Sequence, residues 1–527
     1  MERQNSRRRK PPRTQESQQS SEKATSSEPT SRPLLSWVLL TLLVSFLAYS
    51  LRPDIYLHSW IGPLLGHAHR HPHGEDASIR PYIELHPEDH VFRAPVTHHL
   101  NWRVTTGERR PDGVLKKRSP DNGNVPLIII PSFHPIDLFP GPTVEARSGD
   151  TLIITVTNAL SEHEIALHWH GLHVANSVDG AAAVSQCPIP PGAQYVYNVS
   201  IPEDQSGTFW YHAHSGLSRQ DGLFGGLVVH APSSKSTVRG LMSRGGSDAE
   251  RYGYEKEHLL LIGDWYHPPA EDVLAWYQDP GNFGNEPVPD SLLINGIGYF
   301  DCGMAVPARP VDCVEHQTKP SFLHLDFGAS SRVRVVNTGA LGGFTLVFGQ
   351  ETLELLQVDS VDVERPQQED VNTAGILYPG QRMDFVLRPS AKEEAGSSSM
   401  MVKLDQGCFK YMNHALTPDQ TFAIHYSNTS RKVDDATSLP ITRNELNLER
   451  IPSAASVLAK LPEQADETHV VYTKIQKMAR LRNMPYGFFN MTIWKPQSEP
   501  QVPLIALPAR AGIRTSFQLL QVQAQHG

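Results

Sequence analysis

Residues 151–232 contain TLIITVTN (151–158), IALHWHGL (165–172), QYVYNVSIP (194–202), TFWYHAHSG (208–216) and GLFGGLVVHAP (222–232). Each run is short, rich in β-branched or aromatic residues, and punctuated by Gly, Pro, Asn or Asp. No helical period persists among them, so residues 97–232 are predicted to form an all-β sandwich or barrel. The same texture returns over 256–430 as HLLLIGDWY (258–266), SLLINGIG (291–298), RVRVVNTG (332–339), FTLVFG (344–349), LELLQV (353–358) and MDFVLRP (383–389).

The two blocks are diverged repeats. In the first, TLIITVTNA is followed by HWHGL and then PPGAQYVYNV; in the second, SRVRVVNTGA is followed by FTLVF and then YPGQRMDFVL. A linker is expected at 233–255 and another at 431–466. THVVYTKI and FFNMTIW then open a third unit over 467–527, which is too short for a further sandwich of about 100 residues. Where the first block has His168 and His170, the second has apolar and small residues. Metal chemistry is therefore expected in the first block and not in the second.

The residues that carry chemistry are two His-x-His units, His168-Trp169-His170 and His212-Ala213-His214. On an extended strand, positions i and i+2 face the same side, so each unit projects two imidazoles together. Two such strands side by side would present four nitrogens to one small volume. Imidazole suits copper, zinc, iron and nickel, so ligand type alone does not select the metal.

FPGPTVEARSGDTLIITVTNAL (139–160), HWHGL (168–172), VDGAAAVSQCPIPPG (178–192) and GTFWYHAHSGLSRQDGLFGGLVVH (207–230) together resemble the multicopper oxidases of laccase and ferroxidase type, the fungal members above all. The resemblance implies tandem cupredoxin-type (plastocyanin-like) Greek-key domains and copper as cofactor. It implies His168 as a type 2 copper ligand, and His170, His212 and His214 as ligands of a binuclear type 3 pair. The reaction it implies is one-electron oxidation of a phenol, another aromatic or Fe(II) at a type 1 copper, coupled to four-electron reduction of O2 to water. The family's later His-Pro-x-His-x-His and His-Cys-His segments do not occur after residue 430, and the last residues, ALPARAGIRTSFQLLQVQAQHG, leave the family pattern. A truncation before the carboxy-terminal copper motifs is the resulting expectation. Cys408, Met412 and His414 lie close in sequence, but their order and their place in the second block are wrong for a type 1 loop.

Leu34 to Leu51 carry no charge over about the length needed to cross a bilayer, and Arg7, Arg8, Arg9, Lys10 and Arg13 precede them. We expect residues 34–51 to be a transmembrane signal anchor, with a cleavable signal peptide as the alternative. Residues 1–33 would then be a disordered, basic cytoplasmic tail, with the main domains extracellular or lumenal. Residues 52–96 would form a stalk holding His67, His69, His71 and His73, read as a solvated linker with metal capture as the alternative. Sequons at Asn198, Asn428 and Asn490 fit an exported glycoprotein. Cys302 and Cys313 bracket a short Pro-containing loop and are expected to form a disulfide; a pairing of Cys187 with Cys408 stays open. Gly149-Asp150 marks a tight turn, and Asp179 and Asp221 are candidates to orient an imidazole, with solvated loop carboxylates as the alternative.

The net charge of −9 supplies no basic field for nucleic acid, so that partner class is excluded, and 39% hydrophobic residues are enough for packed cores. The expected function is that of a membrane-anchored copper oxidase using O2 and a small reductant. The alternatives are a non-catalytic copper-binding or structural cupredoxin protein, and a different all-β metal binder that uses the stalk histidines.

Overall fold

The computed structural model describes residues 81–116, 125–130, 136–233, 246–307, 309–315, 319–365, 368, 370–389, 398–427, 443–454, 461–479, 482–490, 492–494, 502–507 and 517–518. The expected tail, anchor and histidine tract at 67–73 lie outside the described residues, as does Asn428. Among the described residues no helix is long and apolar enough to cross a membrane.

Strand β1 (Ile83–Leu85) and a single helical turn, α1 (Glu88–Val91), precede the first sandwich. Its strands are β2 (Thr97–Gly107), β3 (Val125–Ile130), β4 (Ile136–Leu138), β5 (Val144–Arg147), β6 (Thr151–Asn158), β7 (Leu167–His170), β8 (Gln194–Ser200), β9 (Gly207–Ala213) and β10 (Phe224–His230). They form two sheets, in the orders β4-β3-β2-β6-β8 and β5-β10-β9-β7. Alternation decides which side faces inward: along β6, Leu152, Ile154 and Val156 are buried while the residues between them are only partly covered. Trp102, Trp169, Tyr197, Phe209, Tyr211 and Leu227 complete the core between the sheets.

The second sandwich uses β11 (Lys256–Trp265), β12 (Ser291–Ile294), β13 (Ile297–Gly298), β14 (His324–Asp326), β15 (Ser331–Asn337), β16 (Phe344–Phe348), β17 (Thr352–Val358), β18 (Val361–Asp362), β19 (Arg382–Arg388), β20 (Ser398–Leu404) and β21 (Asp419–Ser427). Its sheets are β13-β12-β11-β15-β19-β17-β18 and β14-β21-β20-β16. The pairings repeat those of the first sandwich. Parallel β2–β6 with antiparallel β6–β8 recurs as parallel β11–β15 with antiparallel β15–β19. The β7–β9–β10 ladder, with β5 parallel to β10, recurs as β16–β20–β21 with β14 parallel to β21. Thus β7, which carries HWH, corresponds to β16, which carries FTLVF, and both are reached by the same path through the fold.

The expected stalk extends too far in one respect. Residues 83–85 join the second sandwich as an added strand on β11, and Arg93 makes paired bonds of 2.7 and 2.6 Å to the buried Asp150 carboxylate. Ile83 and Leu85 are apolar on a sheet edge and pack with Trp210, Phe224, Val228, Leu259, Leu261 and Val336 between the two sandwiches. Gly149, at φ +85°, makes the turn that presents Asp150. Cys302 and Cys313 are disulfide-bonded. Cys408 is not joined to Cys187, because its thiol donates to Asp405 at 3.5 Å. A hairpin of β22 (Thr473–Lys477) and β23 (Pro485–Phe489) follows, leaving Val470, Val471, Tyr472, Ile475 and Phe489 exposed.

Candidate metal centre

Strands β7 and β9 run antiparallel with His168 directly opposite His212. Leu167 and Trp169 point into the sandwich core, which turns His168 and His170 to the other face. On β9, Phe209, Tyr211 and Ala213 face that same core, while Trp210 packs in the layer between the sandwiches. His212 lies beside Trp210, with ring centroids 4.3 Å apart. A slip of one residue in either strand would reverse every side chain and bury the imidazoles, so the apolar residues of these strands fix where the histidines point.

All four histidines converge. Ring centroids lie 5.7 Å apart for His168–His170, 5.4 Å for His168–His212, 5.3 Å for His168–His214, 5.5 Å for His170–His212 and 5.9 Å for His212–His214. His168, His170 and His212 each offer a ring nitrogen within 4.8 Å of the others. His214, one residue past the end of β9, is the most open of the four.

Backbone carbonyls orient two of the rings. His168 Nδ1 lies 2.8 Å from the Asp179 carbonyl oxygen, and His212 Nδ1 lies 3.0 Å from that of Ala213. A carbonyl can only accept, so each Nδ1 carries a proton, and in the neutral ring Nε2 is then the nitrogen with the lone pair. His170 Nδ1 faces His212 Nε2 at 3.3 Å. Two metal–imidazole bonds of about 2 Å, meeting at roughly the tetrahedral angle, end about 3.3 Å apart. This pair is spaced as two ligands of one ion.

Electrostatics keep these rings in the ligand form. Burial first, and the Arg382 charge second, push His170 down to about 3. Burial likewise pushes His212 down to about 2, despite the opposing bond to Ala213. Both are neutral at pH 7, so a metal displaces no proton from a cationic ring. Four imidazoles, two with their tautomer already set, fit a borderline ion such as copper.

Asp179 stands where a group orienting His168 should be: its carbonyl takes the Nδ1 proton and its carboxylate lies 3.3 Å from the same nitrogen. Asp221 is elsewhere. It pairs with Lys116 at 2.7 Å and accepts the Ala270 N–H at the start of the helix Ala270–Gln278, so it does not orient an imidazole. His414 is exposed and Met412 is 70% exposed, which gives no enclosed pocket with Cys408. Two neighbours of the cluster escaped sequence reasoning. Arg219 is five residues past His214 and its charge helps depress His170 and His212. Arg382 arrives from β19 of the second sandwich, and a Cβ on Gly171 would meet its Nη2 at 2.4 Å. HSGLSR placed Arg219 near in sequence, whereas nothing in YPGQR signals that Arg382 lies beside His170.

Sequence profiles of multicopper oxidases match residues 137–234 and 256–429, which cover β5–β10 of the first sandwich, β11–β21 of the second and all four histidines. The chain belongs to the multicopper oxidase family. Laccase-1 of Cryptococcus neoformans var. grubii is 28% identical over 338 residues, covering 63% of this chain and 48% of the laccase. An iron transport multicopper oxidase of Gibberella zeae is 27% identical over 404 residues, covering 75% of this chain and 55% of the relative. The crystal structure of laccase from Botrytis aclada superimposes with a TM-score of 0.57 at 23% identity over 79% of this chain and 67% of the laccase chain, which supports the fold. This multicopper oxidase chain spans about half the length of the curated relatives it matches.

Proposed function

We propose that the chain supplies one half of a multinuclear copper centre in an oxidase that couples one-electron oxidation of a phenol, another aromatic or Fe(II) to reduction of O2 to water. The convergence of four histidines on one face of the β7–β9 ladder carries this proposal. His168 is assigned to a type 2 copper; His170, His212 and His214 are assigned to a type 3 pair, with His170 and His212 on one ion because their nitrogens stand 3.3 Å apart. Copper, when bound, supplies the one-electron redox chemistry and the reduction of O2. The protein orients His168 and His212 through carbonyl acceptors, keeps His170 and His212 neutral by burial, and excludes water from the β9 side by packing the second sandwich over Trp210. It leaves the His214 side open for ligands from another domain.

The two matched sandwiches, residues 97–232 and 256–430, are read as cupredoxin domains 1 and 2, and residues 467–527 as the opening of a third. Of the four copper-ligand segments that the family resemblance implies, the two His-x-His units at 168–170 and 212–214 are present in the first sandwich, and no His-Cys-His segment occurs in the sequence. The 527-residue product should therefore bind copper that chelators remove readily, lack an intense Cys-to-copper absorption, and show no O2 uptake with phenols or Fe(II). Fusing a cupredoxin domain that carries the His-Pro-x-His-x-His and His-Cys-His segments should give tightly held copper, the intense Cys-to-copper absorption and substrate-dependent O2 uptake. Sustained substrate-dependent O2 uptake by the purified 527-residue chain would overturn the half-site assignment.

The uncharged segment 34–51 behind a basic leader supports a single-pass anchor, with residues 1–33 cytoplasmic and the sandwiches lumenal or extracellular. The exposed Asn198 and Asn490 are compatible with that side. In sealed microsomes the sandwiches should resist added protease while an amino-terminal tag is removed. A tag that survives without detergent contradicts this orientation.

A further inference from the structure

We propose that His90, Glu145 and His230 form a second metal site, which takes one zinc-class divalent ion and staples the segment entering the first sandwich to its β5–β10 edge. Each of the three offers a ligand atom within 4.8 Å of the others. Two imidazoles and one carboxylate are a donor set for zinc, with a fourth position left to water. The site is independent of the four-histidine cluster. His212 pairs with Phe224 at one end of the β9–β10 ladder, whereas His230 ends β10 six residues further on, about 20 Å away at roughly 3.3 Å per residue.

The three ligands come from segments that the chain brings together only on folding. His90 is on α1, Glu145 is on β5, and His230 sits beside Arg147 in the parallel β5–β10 pairing. His90 and His230 stack with ring centroids 5.2 Å apart and planes 21° apart. Glu145 Oε2 lies 2.9 Å from His230 Nε2 and accepts the His86 N–H at 2.9 Å. His230 is 2% exposed, and its Nδ1 faces the Glu257 carboxylate at 4.0 Å, the place where an orienting acceptor stands in histidine–metal sites.

The protonation states suit an ion. Burial, with His230 next, pushes His90 down to about 4, so its ring is neutral at pH 7. Burial raises Glu145, but the His230 hydrogen bond and charge outweigh it and hold the carboxyl below its ordinary range. Arg93 Nη2 engages His90 Nδ1 at 2.9 Å, which leaves Nε2 for a metal. Binding through Nε2 moves the ring proton to Nδ1, so that one Arg93 contact is released while its two bonds to Asp150 remain.

The test compares the metal-stripped 527-residue chain with Glu145→Gln, His90→Gln and the double variant His168→Gln/His212→Gln. Gln at 145 keeps an oxygen for the His86 N–H, and melting without metal shows that each variant is folded. Zn2+ should raise the melting temperature of the double variant, in which the four-histidine cluster is disabled, and this rise should be lost when Glu145→Gln or His90→Gln is added to that background. Titration with Co2+ should show one equivalent fewer, and the loss of a tetrahedral visible band, in those two variants. An unchanged Zn2+-dependent rise and an unchanged number of Co2+ equivalents in folded Glu145→Gln on that background would overturn the proposal and leave the cluster as a hydrogen-bonded pair beside a stacked ring.

Discussion

Gly180 shows how one residue holds the copper-ligand geometry. It sits at φ +81°, and a Cβ there would lie 1.7 Å from the Leu167 carbonyl oxygen. Its predecessor, Asp179, accepts the proton of His168 Nδ1. Gly180→Ala should therefore lose at least about 2 kcal/mol from backbone strain and the clash with β7. It should also weaken copper binding, because relief requires the Asp179 carbonyl to move off His168. Denaturant melts alongside chelator competition check this; an unchanged copper affinity would show that Asp179 does not position His168. At this scale the sequence was most legible at the two His-x-His units, since a period of two leaves only one arrangement in which Trp169 enters the core. Asp179 and Asp221 looked alike as loop acids near histidines, and only the packing of the helix Ala270–Gln278 separates them.

At the scale of elements, β9 is held from both sides. One face fills the first core, and the other is gripped by the second sandwich through Thr208. Its hydroxyl donates to Asp384 at 2.6 Å and accepts from Arg334 at 3.1 Å, and its carbonyl accepts from Ser360 at 2.7 Å and Arg382 at 3.1 Å. Asp384 also receives Arg332 at 2.8 Å and Arg334 at 2.7 Å, all within a buried network that includes Glu257. Removing the shared carboxylate leaves two buried guanidinium groups with an incomplete set of partners. Asp384→Ala should accordingly cost about 3–5 kcal/mol by urea unfolding and loosen the link between the sandwiches. A loss under about 1 kcal/mol would mean that solvent reaches the network. Strand identity was readable from alternation along β6 and from aromatic runs such as TFWYHA. The bonds of Thr208 were not, because residues 208 and 384 meet only when two domains dock, and neither has a local pattern to announce it.

For the whole molecule, the duplicated strand order accounts for the asymmetry in chemistry. Both sandwiches bring an equivalent strand pair to the same place, but β7 and β9 carry histidines there and β16 and β20 do not. The second sandwich instead covers the first: Leu259, Leu261 and Val336 close over Trp210 and Phe224, and Arg382 reaches the imidazoles. The repeat was legible in the matched order of motifs. The added strand at 83–85 was not, since three residues, IEL, within a polar and His-rich stretch give no pattern that separates them from a stalk. The central claim is that the four imidazoles together hold copper, and a crystal of the chain soaked in copper, with anomalous scattering recorded at the copper edge, tests it most directly. The account predicts density within about 2 Å of ring nitrogens of His168, His170, His212 and His214, with His170 and His212 sharing one ion. Copper bound only elsewhere, or either His-x-His pair pointing to opposite sides of its strand, would contradict it.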